Sequence, residues 1–176
     1  EPGHALVQQR PGTRCEAGQR WQWDGVDFEV LHPQAADYGA AGAKKSNALS
    51  CVLRIGSAHG THALLAGDIE TAQESRLVST GAPLRADWLL VPHHGSKTSS
   101  SDAFLAAVQP GVALVQAGYR NRFGHPAPSV VQRYASHGIR LVDTVHCGAA
   151  VWRSDQPAAV DCERERAPRY WQHTPP

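Results

Sequence analysis

The chain has 176 residues, of which 41% are apolar and 19% charged, and its 17 basic and 16 acidic side chains leave a net charge of +1. That length suits one domain with a real core, and the composition excludes a disordered chain. The near-neutral balance excludes a strong overall electrostatic footprint for nucleic acid, leaving only local patches to consider.

Residues 1–14 form a polar, Gly- and Pro-containing lead-in with no apolar stretch long enough for a signal core or a membrane span. With no methionine anywhere, the sequence is expected to be a piece of something longer. The four cysteines, Cys15, Cys51, Cys147 and Cys162, form no CxxC pair, which argues against a structural zinc site. They read either as small buried hydrophobes or as disulfides, with Cys15–Cys51 a possible pairing.

From Trp21 to Leu31 the chain alternates as half-buried strands do, and Asp24-Gly25 marks a hairpin between them. A loop rich in Ala and Gly follows over 34–45. Strands are predicted over 50–55 and 61–66, turning at Gly56–Gly60, and a helix over 71–79 ended by Gly81 and Pro83. A short buried strand over 87–91 is stopped by Pro92 and opens into the polar loop 93–101. Ser101 is placed to cap a helix over 102–108, which Gln109-Pro110-Gly111 ends. Another buried strand covers 112–117, a loop 118–128, and a helix 129–137 closed by Gly138. The last strands are expected at 139–142 and 148–152, and residues 153–176 read as a charged, Pro-containing, frayed tail. Strands alternating with short helices in the later part indicate an α/β fold.

Two apolar runs end in metal-binding residue types: Leu64-Leu65-Ala66-Gly67-Asp68 and Leu89-Leu90-Val91-Pro92-His93-His94. A carboxylate and imidazoles delivered by neighbouring strand ends suit a hydrolytic Zn²⁺ or Mn²⁺ centre. Against this, Asp68 also suits the cap of the following helix, and two adjacent histidines also suit an ordinary polar loop. If the chain is extended at His93 and His94, their rings point to opposite sides, one free to bind metal while the other packs or meets substrate. Ser96, Lys97 and Ser99 in the following loop suit phosphate oxygens. His125 closes the loop Tyr119-Arg120-Asn121-Arg122-Phe123-Gly124-His125-Pro126. There Arg120, Asn121 and Arg122 can hold a phosphate backbone, and Tyr119 and Phe123 can stack on an unpaired base. An ordinary surface loop would contain the same residues. His32, Asn47 and Ser50 are weaker candidates, and the remaining histidines form no constellation.

In this order, WQWDGVDFEVLHP, SCVLRI, LLAGDIE, DWLLVPHHGSKTSSS and GYRNRFGHP resemble the C-terminal metallo-β-lactamase-like domain of the ComEC family of DNA-uptake channel proteins, over residues 15–152. The resemblance implies an αββα sandwich with a metal site at its edge. In it Asp68 corresponds to the bridging aspartate, the His93-His94 pair to the late histidine motif, and His125 to a GHP loop with a role in metal binding or proton transfer. His93 is favoured as the ligand because it lies nearer the strand end. The early HxHxDH motif of that fold is absent, so the chain resembles the C-terminal half of the domain. Two divalent metals, Zn or Mn, are expected in the intact domain and an incomplete site in this chain. The resemblance further implies a metal-dependent nuclease on the non-transforming strand, with catalytic Asp68, His94 and His125. The implied partners are single-stranded DNA bound without sequence preference, the membrane channel portion of the same parent and the upstream half of the domain. The implied location is the inner membrane, on its periplasmic side. A metallohydrolase on another ester and a non-catalytic DNA-binding or scaffold domain are the competing readings.

Overall fold

Asp24 and Gly25 both take positive φ, 51° and 75°, the requirement of a two-residue turn that matches strand twist. They join β1 (Arg20–Trp23) to β2 (Val26–His32) in register Trp23 opposite Val26. This hairpin opens the fold of the computed structural model, which describes residues 12–39 and 46–170. Residues 1–11 of the expected lead-in and 40–45 of the expected loop, with Lys44 and Lys45, therefore lie outside the described residues, and the described part of the loop forms a 3-10 turn at Ala35–Asp37.

Seven strands form one mixed sheet in sequential order. β3 (Val52–Gly56) and β4 (His62–Leu65) continue the antiparallel meander, and β5 (Trp88–Leu90), β6 (Val112–Val115) and β7 (Arg140–Asp143) add on in parallel. The parallel half is connected by α1 (Thr71–Ser79), α2 (Asp102–Val108) and α3 (Pro128–Ser136). Right-handed crossovers between strands added in one direction place these helices on one face of the sheet. The main core lies there, with Leu77, Phe104, Leu105, Val108, Val130 and Tyr134 packed on Leu64, Leu89, Ala113 and Val115. Ser101 caps α2 as its sequence predicts, its hydroxyl accepting from Phe104 N.

The other face carries an unbroken apolar row across six strands: Val30, Leu53, Leu65, Leu90, Leu114 and Val142 are register partners in turn. Its β5–β7 end is covered by a unit of which the sequence predicted only the first strand. After the helical turn α4 (Thr144–Cys147), β8 (Ala150–Trp152) pairs with β9 (Val160–Cys162) as a separate two-stranded sheet, followed by α5 (Glu163–Arg166). Residues 153–166 are therefore not the frayed tail expected of their charge. Cys147 bonds Cys162 across this unit, and both residues are buried in one cluster with Val112, Leu114 and Val142. Trp152 meets Trp88 at 5.9 Å between rings. Cys15 bonds Cys51, the expected pairing, and ties the segment before β1 to the start of β3.

The Cys147–Cys162 bond closes a loop of sequence separation 15. Replacing both cysteines by serine is expected to lower unfolding free energy by about 3 kcal/mol. Denaturant melts of variant and wild type under oxidising conditions check this, and equal midpoints would mean the bond contributes nothing to the native state.

Candidate functional site

Parallel register sets Leu65 of β4 opposite Leu90 of β5, so Asp68 and His93 each lie three residues beyond paired strand ends. The C-terminal edge of parallel strands is where open α/β sheets bind ligands. Here the chain leaves β5 in a left-handed run: His93, His94 and Gly95 have φ of 48°, 55° and 79°. An extended chain would send the two imidazoles to opposite sides, but this turn brings them out side by side, rings 6.5 Å apart. Left-handed backbone costs a non-glycine residue roughly 1–2 kcal/mol, so the turn needs anchors. His93 N donates to Gly67 O at 2.9 Å and Ser96 N to His93 O at 2.9 Å. Ser99 Oγ donates to Pro92 O at 2.9 Å. On the far side, Gly95 O accepts from Ala127 N at 2.8 Å, which joins the turn to the His125 loop.

The two histidines have different partners. His94 Nδ1 lies 2.8 Å from Gln116 O and, facing a carbonyl, carries the proton. Its Nε2 faces the Asp68 carboxylate, 3.4 Å from Oδ1. Both side chains are about half exposed, His94 at 50% and Asp68 at 42%. His93 turns to Glu70 instead, with Nδ1 3.4 Å from Glu70 Oε1 and Nε2 3.2 Å from Asn47 Nδ2. Glu70 also accepts from Thr98 Oγ1 at 3.0 Å. His125 completes the group, its ring 6.0 Å from that of His93 and stacked on Phe123 at 5.7 Å. Burial first, then the neighbouring imidazoles of His93 and His94, lower the His125 pKa from the ordinary histidine value, which favours its neutral form.

The donor set tests the fit of a metal. Zinc bonds of about 2.0–2.1 Å to nitrogen and oxygen put two ligands of a tetrahedron about 3.4 Å apart. The His94 Nε2–Asp68 Oδ1 separation matches that edge, and the Nδ1–carbonyl hydrogen bond sets the tautomer a ligand needs. Two ligands therefore fit. Among the described residues no group of three or more His, Cys, Asp or Glu side chains gathers closely enough to hold an ion by itself.

The predicted substrate-binding residues separate into two sets. Ser96 and Ser99 are buried, at 7% and 1% exposure, and their hydroxyls hold the loop itself. Asn121 clamps its own loop, accepting from His125 N at 2.9 Å and donating to His125 O at 2.6 Å. Lys97, Arg120 and Arg122 are exposed, with Arg120 over the Tyr119 ring and Arg122 over the Phe123 ring. Glu70 and Asn47 are the neighbours of His93. Asn47 was a weak candidate in the sequence, and Glu70 was passed over although it stands in the same Gly67-Asp68-Ile69-Glu70 turn. Beneath the loop lies Glu74, fully buried, whose carboxylate accepts the backbone N–H of Ser100 and Ser101. Arg133 donates to Ser100 O at 2.8 Å and Tyr134 meets Ser100 Oγ at 3.1 Å.

No family model matches the chain. It is 42% identical to Competence protein ComA of Neisseria gonorrhoeae over 93% of its residues, which is 23% of that protein. It is 34% identical to ComE operon protein 3 of Bacillus subtilis over 73% of the chain, and 36% identical to Recombination protein 2 of Haemophilus influenzae over 77%, in each case 16% of the relative. The chain thus spans between 16% and 23% of the length of these relatives.

Two outcomes follow from how the loop is held. A Cβ on Gly95 would lie 2.7 Å from Pro126 Cβ, at φ +79°. Gly95→Ala is expected to cost about 1–3 kcal/mol, and an unchanged thermal midpoint would refute the close packing of the two loops. Glu74 has its pKa raised, by burial above all, with the Ser101 and Ser100 hydrogen bonds and Arg133 opposing. A raised folded pKa means stability is fully present below the unfolded value of about 4.3 and lost as pH rises through the folded value. Stability measured across that range should fall with rising pH in wild type and fall less in Glu74→Gln; identical slopes would contradict it.

Proposed function

The chain belongs to the ComEC/ComA family of competence proteins, and with the strand-end geometry we propose that it forms part of a metal-dependent nuclease domain acting in DNA uptake. The observation that carries the reading is the Asp68–His94 pair, set at a ligand–ligand distance with the imidazole in the ligand tautomer. Asp68 and His94 would hold a divalent metal, Zn or Mn, whose other ligands belong to the longer protein. On this reading the upstream part of the parent packs its own sheet on the part of the apolar row that the β8–β9 unit leaves open, completing an αββα sandwich of the metallo-β-lactamase type. Leu53, Leu65 and Leu90 are only half-buried and offer the surface for it.

When bound, such metals supply a hydroxide at neutral pH and offset charge on phosphate. The chain's own residues do the rest. Glu70 and Asn47 orient His93 beside the site. His125, neutral in the free site, accepts a proton; an arriving phosphodiester brings negative charge that raises its pKa, so the same ring can then donate to the leaving oxygen. Arg120, Arg122 and Lys97 draw in the backbone without reading base edges.

No helix among the described residues is long and apolar enough to cross a membrane. The two disulfides favour an oxidising compartment, which supports the periplasmic side of the inner membrane, next to the channel portion of the parent.

Elemental analysis and single-stranded DNA cleavage, on the longer protein that carries this segment, test the reading together. About two metals per chain are expected. Asp68→Ala and His94→Ala should each lower metal-dependent cleavage by more than about a hundredfold with the fold retained, a loss above that of removing an outer-shell partner. Metal-free protein, or cleavage unchanged in both variants, would sink the nuclease reading.

A further inference from the structure

Beside His94 lies a hollow of about 230 Å³ lined by His94, Gln116, Ala117, Asn121, Phe123 and His125. It is smaller than the roughly 300 Å³ at which drug-sized pockets begin, and its size and shallow, ring-faced lining suit one planar ring system. One wall is Phe123, 65% exposed although large and apolar, and backed by the parallel His125 ring, 17° between planes. An aromatic ring held by a second ring from behind and left open to solvent in front is a preformed stacking surface. Arg122 lies over it at 4.8 Å and Arg120 over the neighbouring Tyr119 at 5.1 Å. Arg122 is a long, solvated side chain that can swing aside and then lie over an incoming ring or meet the phosphate attached to it.

We propose that this hollow is a base subsite: an unpaired nucleobase of a single DNA strand stacks on Phe123 beside His94, while Arg122 covers it and Arg120 holds the adjoining backbone. The subsite rests on the nuclease reading for its substrate, but not on metal or cleavage for its test. Stacking on a ring is open to every base, and the amide of Asn121 is spent on His125 and Gly118 and reads no base edge. The hollow refuses a paired base, because a base in a duplex has its faces occupied by its stacked neighbours and cannot lie flat on the exposed Phe123 ring. Phe123 is therefore the residue that selects single strands, and it sets where the strand lies relative to Asp68 and His94.

The test uses the full chain in chelator, so that no strand is cut, with single-stranded and duplex oligonucleotides carrying 2-aminopurine at successive positions. Wild type should quench 2-aminopurine at one position of the single strand. Phe123→Ala should abolish that quenching and weaken single-strand binding about tenfold, leaving weak duplex binding unchanged; Phe123→Trp should restore both. Equal single-strand affinity and quenching in wild type and Phe123→Ala would overturn the subsite while leaving the nuclease reading intact. Equal loss of duplex and single-strand binding would also overturn it, since Phe123 would then shape the loop rather than select the strand. Wild type that binds no DNA at all would overturn the subsite and the DNA reading together.

Discussion

The left-handed turn at His93-His94-Gly95 is the constraint on which the site depends. Two non-glycine residues with positive φ in succession are held by contacts on both flanks: Gly67 O on the β4 side, and Ala127 N with the Pro126 ring on the β6 side. Glycines stand at both anchor points for a steric reason. A Cβ at Gly67 would come within 3.1 Å of Ser50 and 3.2 Å of Cys51 O, and one at Gly95 would strike Pro126. The ends of β3, β4, β5 and the loop after β6 thus converge on one turn. Strain gathered at such a point is a mark of function rather than of economy in folding.

Below the turn, the buried carboxylate of Glu74 does for residues 99–101 what a helix cap does for a helix end. It takes up two backbone donors that would otherwise be buried without partners. Because Glu74 sits in α1 and Arg133 and Tyr134 in α3, the two helices grip the loop from both sides. The main core and the site are therefore mechanically one unit: α1 begins just after Asp68, and its buried face fixes the loop that carries the partner histidines.

Much of this was legible in the sequence. Apolar runs at period two, Asp24-Gly25, and the Ser101 cap announce their elements through local chemistry alone, and the runs ending in Asp68 and His93-His94 announced two strand ends that the sheet sets side by side. What was not legible depends on contacts distant in sequence. Whether His93 or His94 faces Asp68 is decided by backbone handedness, and the sequence offers only Gly95 as a hint of it. Ser96 and Ser99 carry the same hydroxyls whether they face phosphate or their own backbone, and only burial distinguishes the two. The unit at 153–166 was hidden because its charged, Pro-containing composition resembles a tail. Its stability comes from Cys162 reaching back to Cys147 and from Trp152 against Trp88, pairings no local pattern encodes.

Adjacent histidines at a strand end allow one short segment to serve two tasks. With His94 tied through Gln116 O and turned to Asp68, and His93 tied through Asn47 and turned to Glu70, the dipeptide links two carboxylates that are themselves two residues apart. Both imidazoles are carried by one left-handed turn, so the same backbone sets where each of them starts. A change in charge at Asp68, such as the neutralisation that a bound cation brings, would therefore be felt at His93 and, across 6.0 Å, at the neutral ring of His125. That coupling is electrostatic and short-range, in a setting of partly excluded water where such effects are stronger than at an open surface. It gives a physical reason for three imidazoles to crowd one edge of the sheet when two would suffice to bind.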